Sequence, residues 1–117
     1  MNKDELRKAT PVYSGFIKYF PDAINAIARA SVAGNIQHKN GDVLHWDRSK
    51  SKDELDSMMR HLLDFGSGEV FDDCGTMHIV KCGWRILAFI QKELEQDAAL
   101  NKTIIDDLPF FNNNTNI

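Results

Sequence analysis

Apolar residues return at helical spacing in three stretches of the chain, separated by polar or glycine-containing segments. The first opens at Pro21, a residue suited to a first helical turn, with Asp22 adding negative charge where the helix dipole favours it. Ala23, Ile24, Ala26, Ile27, Ala28, Ala30, Val32 and Ala33 follow, so the spacing predicts a helix that pauses at Gly34 or runs on toward His38. Its small face suits close packing against another helix. The second stretch begins at Ser51-Lys52-Asp53-Glu54, a capping-box spacing. Leu55, Met58, Met59, Leu62 and Leu63 then keep helical period until Gly66-Ser67-Gly68 stops them. The third and longest runs from about Thr76 to about Gln96, where Ile79, Val80, Cys82, Trp84, Ile86, Leu87, Phe89, Ile90 and Leu94 give a broad apolar face.

The intervening segments are of two kinds. Residues 1–19 are polar and then mixed, and Thr10-Pro11 breaks any early helix. Residues 35–50 carry an Asn40-Gly41 turn but lack strand alternation, which predicts an ordered loop and not a hairpin. That loop holds His38, His45, Trp46, Asp47, Arg48 and Lys50 close together, a content typical of binding surfaces. The expected fold is all-α: about three main helices and one ordered loop in a single domain over 1–105. A polar tail over 106–117 follows, in which Phe110-Phe111 could dock.

Composition narrows the partners. With 117 residues the chain has room for one modest core, so a broad apolar last helix predicts a homo-oligomer, most simply a twofold one. Fourteen Lys and Arg against 17 Asp and Glu exclude a basic nucleic-acid coat, so a polyanion must meet a local cationic cluster. Cys74 and Cys82 form no CxxC pair, the first ten residues carry charges of both signs, and the longest apolar run is Ile86–Ile90. Those features predict a cytoplasmic protein without a leader or a membrane span. All four histidines lie between His38 and His78, which places the chemistry mid-chain.

Glu54, Met58, His61 and Phe65 share one helical stripe, with Asp64 three residues beyond His61. His78, Lys81 and Arg85 form a second, cationic strip. Glu69-Val70-Phe71-Asp72-Asp73 supplies three carboxylates between them. Carboxylates beside imidazoles suit a divalent ion, and cations opposite suit a polyphosphate whose charge the ion only partly neutralises. Each group also has a plainer role: His61 as a rim histidine, Asp72 or Asp73 as the cap of the last helix, Lys81 and Arg85 as a solvated face. P-loop, GxGxxG, GxSxG and HExxH patterns are absent, and Cys74 near His78 lacks a third group to orient a nucleophile.

Several segments, in order and spacing, resemble the bacteriophage dATP/dGTP diphosphohydrolase N-terminal domain family. They include Ala33-Gly34-Asn35-Ile36-Gln37-His38, Leu44-His45-Trp46-Asp47-Arg48-Ser49-Lys50-Ser51, Met59-Arg60-His61-Leu62, Asp72-Asp73-Cys74-Gly75-Thr76-Met77-His78 and Gly83-Trp84-Arg85. The similarity covers about residues 7–96. It implies a MazG-like all-α nucleotide pyrophosphohydrolase that uses Mg²⁺ or Mn²⁺ to convert dATP or dGTP and water to dNMP and pyrophosphate. Glu69-Val70-Phe71-Asp72 fits the Glu-x-x-Asp half of the MazG pattern, whereas Asp53-Glu54-Leu55-Asp56-Ser57 fits the Glu-Glu-x-x-Glu half poorly.

On that resemblance Glu54, Glu69, Asp72 and Asp73 are the expected metal ligands, with His61 and His78 as further ligands or as acid/base groups and Glu69 also a catalytic group. Arg48, Lys50, Arg60, Lys81 and Arg85 are expected on the phosphates, and His38, His45 and Trp46 on the pocket wall and base. Two other readings compete: a module that sequesters a nucleotide without cleaving it, and a helix-pairing protein whose polar loop docks a partner chain. The enzyme reading expects no membrane and no direct nucleic-acid partner, in the cytoplasm of a bacterial host if phage-encoded.

Overall fold

The structure, a computed structural model, describes residues 2–37, 41, 43–50, 52–97 and 99–100, without the side chain of Lys50. Its described residues form four α-helices: α1 (Lys3–Ala9), α2 (Pro21–Gln37), α3 (Glu54–Gly66) and α4 (His78–Gln96). An isolated bridge between Phe71 and Met77 is the only β pairing among them. The expected all-α class holds. The chain divides into two compact units, one comprising Met1–Phe20 with the residues from Gln91 onward, the other Pro21–Ile90.

In the first unit, α1 is a short helix that the mixed pattern of residues 1–19 did not announce. Asn2 and Glu5 close a reciprocal capping box on it, and it ends at Ala9, just before Thr10-Pro11. Beyond Pro11 the backbone widens into a π turn over Tyr13–Ile17, where the Ile17 N–H donates to the Val12 carbonyl at 3.0 Å.

In the second unit, α2 starts at Pro21 as expected and passes through Gly34 to Gln37. Near its end Asn35 is buried; its Nδ2 donates to the Gly41 carbonyl and its Oδ1 accepts the His45 N–H, both at 3.1 Å. One side chain thereby ties the loop to the helix. α3 starts at Glu54, with Asp53 as its N-cap; the Asp53 carboxylate makes no cap bond and pairs with Arg60 at 2.8 Å instead. Ser51, the expected cap, lies outside the described residues.

α3 and α4 form an antiparallel hairpin: Met58 lies against Cys82, whose Sγ donates to the Met58 carbonyl, and His61 lies against His78. α2 meets α4 at Gly83, where a Cβ would stand 2.9 Å from Ile27 Cδ1, and through Trp84 Nε1, which donates to Ser31 Oγ at 2.9 Å. The interior is unusual. Cys82 and Ala88 are the buried apolar residues described, while Asn35, Glu54, Ser57 and His78 are buried polar ones. Leu55, Met59 and Leu62 on α3 and Ile79, Ile86 and Ile90 on α4 leave apolar stripes in water.

Candidate active site

The turn out of α3 builds the site. Ser67 caps the helix and Gly68 takes a left-handed φ of 102°. The Gly68 N–H then donates to Phe65 O at 3.1 Å and the Glu69 N–H to Asp64 O at 3.0 Å. That is a Schellman closure, and it folds Glu69 back over the last turn, beside Asp64. The chain next knots around Asp72. Its Oδ1 accepts the N–H groups of Cys74 at 2.9 Å and Thr76 at 3.0 Å, while Gly75 supplies a φ of 79°. Asp72 also forms a close ion pair with Lys81, one turn into α4. The His78 N–H donates to Val70 O at 2.9 Å, which fixes the head of α4 under the connector.

These turns surround an open pocket of about 410 Å³. His61, Asp64, Glu69 and His78 line it together with Asp72, Asp73, Lys81 and Arg85, with Gln37, Phe71 and Cys74 beside them. His61 Nδ1 and His78 Nδ1 stand 2.8 Å apart, so one ring donates and the other accepts. The other nitrogen of His78, Nε2, lies 4.0 Å from Asp64 Oδ2 and 4.0 Å from Glu69 Oε2. Asp64, Glu69 and His78 bring one ligand atom each within 4.8 Å of one another, a donor set that fits a divalent ion.

Burial lowers the His61 pKa below its ordinary value, and the neighbouring Lys81, His78 and Arg85 lower it further. These neighbours favour the neutral form of His61. Burial pushes the Asp72 carboxyl upward, yet Lys81 and the backbone N–H groups of Thr76 and Cys74 more than offset it and hold the pKa below the usual carboxylate value.

The structure brings His61, Glu69, Asp72, Asp73, His78, Lys81 and Arg85 to one pocket. Glu54 is buried at the head of α3 and does not line it. Asp72 is committed to Lys81 and two backbone donors, close to its plainer role as an organiser of the α4 start. Trp46 meets Trp84 edge to face at 5.6 Å and carries the Arg48 guanidinium 4.1 Å over its ring, away from the pocket lining. His45 is exposed on the loop that Asn35 holds, and Arg60 pairs with Asp53 at the surface. His38 and the Lys50 side chain lie outside the described residues. Asp64 is the member that the sequence reading left unassigned; its position three residues after His61 was the available signal.

The pocket of this all-α hairpin holds carboxylates and imidazoles together with a lysine and an arginine. The chain belongs to the dATP/dGTP diphosphohydrolase N-terminal domain family, which it matches over residues 2–102. No curated protein and no solved structure matches it. Among the described residues, no helix is long and apolar enough to cross a membrane.

Proposed function

We propose that this chain is a metal-dependent nucleoside triphosphate pyrophosphohydrolase that takes dATP or dGTP to dNMP and pyrophosphate. The observation that carries the reading is the pocket between the α3–α4 connector and α4, which holds carboxylates together with Lys81 and Arg85 in a chain of this family. Arg85 and Lys81 hold phosphate oxygens and oppose the charge that builds on them as the α–β bridging bond lengthens. The water oxygen bonds to the α-phosphorus, pyrophosphate leaves, and Glu69 Oε1 accepts the water proton. Neutral His61 faces the same phosphates with the ring nitrogen that His78 does not use. Asp64, Glu69 and His78 would hold a divalent ion, Mg²⁺ or Mn²⁺ on the family resemblance, which would supply Lewis acidity at the phosphate.

The test is incubation with dATP or dGTP and Mg²⁺ or Mn²⁺, with pyrophosphate as the readout. Release is expected, and Glu69→Gln is expected to cut it about 100-fold or more. No release with either ion removes the enzyme reading. A second reading, nucleotide sequestration without cleavage, draws support from Glu54 lying off the pocket and Asp72 being committed to Lys81. It expects nucleotide binding that survives chelation, with no product.

A further inference from the structure

We propose that Trp46 and Trp84 are positioning residues that hold the Arg85 guanidinium ready for phosphate, so that the loop carrying Trp46 acts on a pocket it does not line. The inference deepens the pyrophosphohydrolase reading and rests on its assignment of Arg85 to phosphate. Its geometric core is a series of ring contacts within the Pro21–Ile90 unit. Arg48 lies over Trp46 at 4.1 Å, Trp46 meets Trp84 edge to face at 5.6 Å, and Arg85 lies over Trp84 at 5.5 Å. Arg85 lines the pocket, whereas neither tryptophan does.

Each link is anchored from outside the pocket. The Trp84 indole is pinned to α2, because its Nε1 donates to Ser31 Oγ at 2.9 Å. Trp46 is delivered by the loop that Asn35 ties to α2 through Gly41 and His45. Arg48 is set by the turn that follows: Asp47 Oδ1 accepts the Ser49 N–H at 3.1 Å and the Ser49 hydroxyl at 2.5 Å. An arginine loses rotamer freedom when it orders on an anion, and a fixed ring beneath it takes much of that loss before the anion arrives.

An aromatic holder suits this position better than an acidic one. Lys81, one turn earlier on α4, is committed to the Asp72 carboxylate, which offsets part of its charge. A ring face holds a guanidinium without cancelling its charge and leaves the in-plane N–H groups directed outward, the geometry of a bidentate phosphate contact. Carboxylates lie within reach of the Arg85 charge: the pKa of Asp53, lowered first by Arg60, is lowered further by Arg85. The stack opposes collapse of Arg85 onto such groups. Both tryptophans of the chain belong to the series, so indole emission reports on it alone.

The experiment uses the full chain in Mg²⁺ buffer and inorganic tripolyphosphate, which offers a phosphate chain without a base and without ultraviolet absorption. Isothermal titration reads affinity, and tryptophan emission reads the stack. Tripolyphosphate is expected to bind and to change the emission; Arg85→Ala should weaken binding about tenfold and abolish the change. Trp46→Leu should weaken binding about three- to tenfold, the scale of one cation–π contact, and Trp46→Phe, which keeps an aromatic ring, should lose less. The double variant decides. If Trp46 acts through Arg85, Trp46→Leu costs nothing further in the Arg85→Ala background, whereas a loop anchor with no path to Arg85 costs the same factor in both. Circular dichroism melting checks that each variant is folded. Should Trp46→Leu not fold, the exposed Arg48→Gln takes its place in the same cycle, with a loss of about twofold expected. Equal losses in both backgrounds, no loss in either, or no binding of tripolyphosphate by the parent overturns the proposal. The expected cycle without pyrophosphate release from dATP or dGTP would refute the enzyme reading alone; release with Trp46 and Arg85 acting independently would refute the positioning alone.

Discussion

Asp72 should be the residue whose removal separates an architectural role from a metal-binding one. Its side chain is 10% exposed, accepts two backbone N–H groups and pairs with Lys81, itself only 20% exposed. Hydrogen bonds to a charged group contribute about 1.5–3 kcal/mol each, and a lysine left beside an empty space adds its own cost. Allowing for water that enters the open pocket, Asp72→Ala should cost about 3–4 kcal/mol. Asp72→Asn keeps an oxygen for Cys74 and Thr76 and loses only the ionic part, about 1–2 kcal/mol. At about 4 °C per kcal/mol for a chain of this size, melting by circular dichroism should fall by about 12–16 °C and 4–8 °C respectively. The pH dependence follows from the lowered Asp72 pKa: its contribution is whole above the unfolded value of 3.8 and is lost as pH falls through the lower folded value. The acid loss should therefore be shallower in Asp72→Asn. If both variants melt with the parent at pH 7 while ion affinity collapses, Asp72 is a ligand and the structural account is wrong.

Gly68→Ala should cost about 1–2 kcal/mol, because an L side chain at φ 102° is strained, and should also weaken Mn²⁺ binding by displacing Glu69 from Asp64. Denaturation and ion titration on one sample check both; a strained protein with unchanged affinity would break the link to the turn. Asn35→Ala should cost about 1–2 kcal/mol through two lost bonds to the loop, measured by urea unfolding, with a loss under about 0.5 kcal/mol counting against it. The apolar stripes on α3 and α4 should make the chain self-associate at micromolar concentration, and Leu62→Lys should shift light scattering toward the monomer; a monomeric parent would contradict this.

Helical period made α2, α3 and α4 legible, because each repeats apolar residues at helical spacing, with α2 opening at proline and α3 closing at glycine. α1 escaped because its stability comes from a local capping box and ion pairs, not from an apolar stripe. The start of α3 shifted because Asp53 carries the cap position while its carboxylate serves Arg60. At the pocket, the strip His78, Lys81, Arg85 could be found from spacing alone. Asp64 with Glu69 could not: five residues apart, they share no helical face and meet only because backbone bonds reverse the chain at Gly68. Gly66-Ser67-Gly68 was visible as a stop, but what a stop brings together depends on the direction in which the chain leaves. Trp46 against Trp84 is likewise a tertiary contact that no local pattern encodes.

The polar interior of the Pro21–Ile90 unit has a calorimetric consequence. Heat capacity rises on unfolding because apolar groups become hydrated, whereas newly hydrated polar groups lower it. A typical chain of 117 residues would show about 1.4–1.8 kcal/mol/K. With Asn35, Glu54, Ser57 and His78 inside and the α3 and α4 stripes already wet, a single copy should fall well below that. Its free energy would then vary little with temperature, giving a flat and shallow dome with a broad melt. Self-association that dries those stripes would restore the missing increment, so the increment itself measures how much of the fold is completed by assembly.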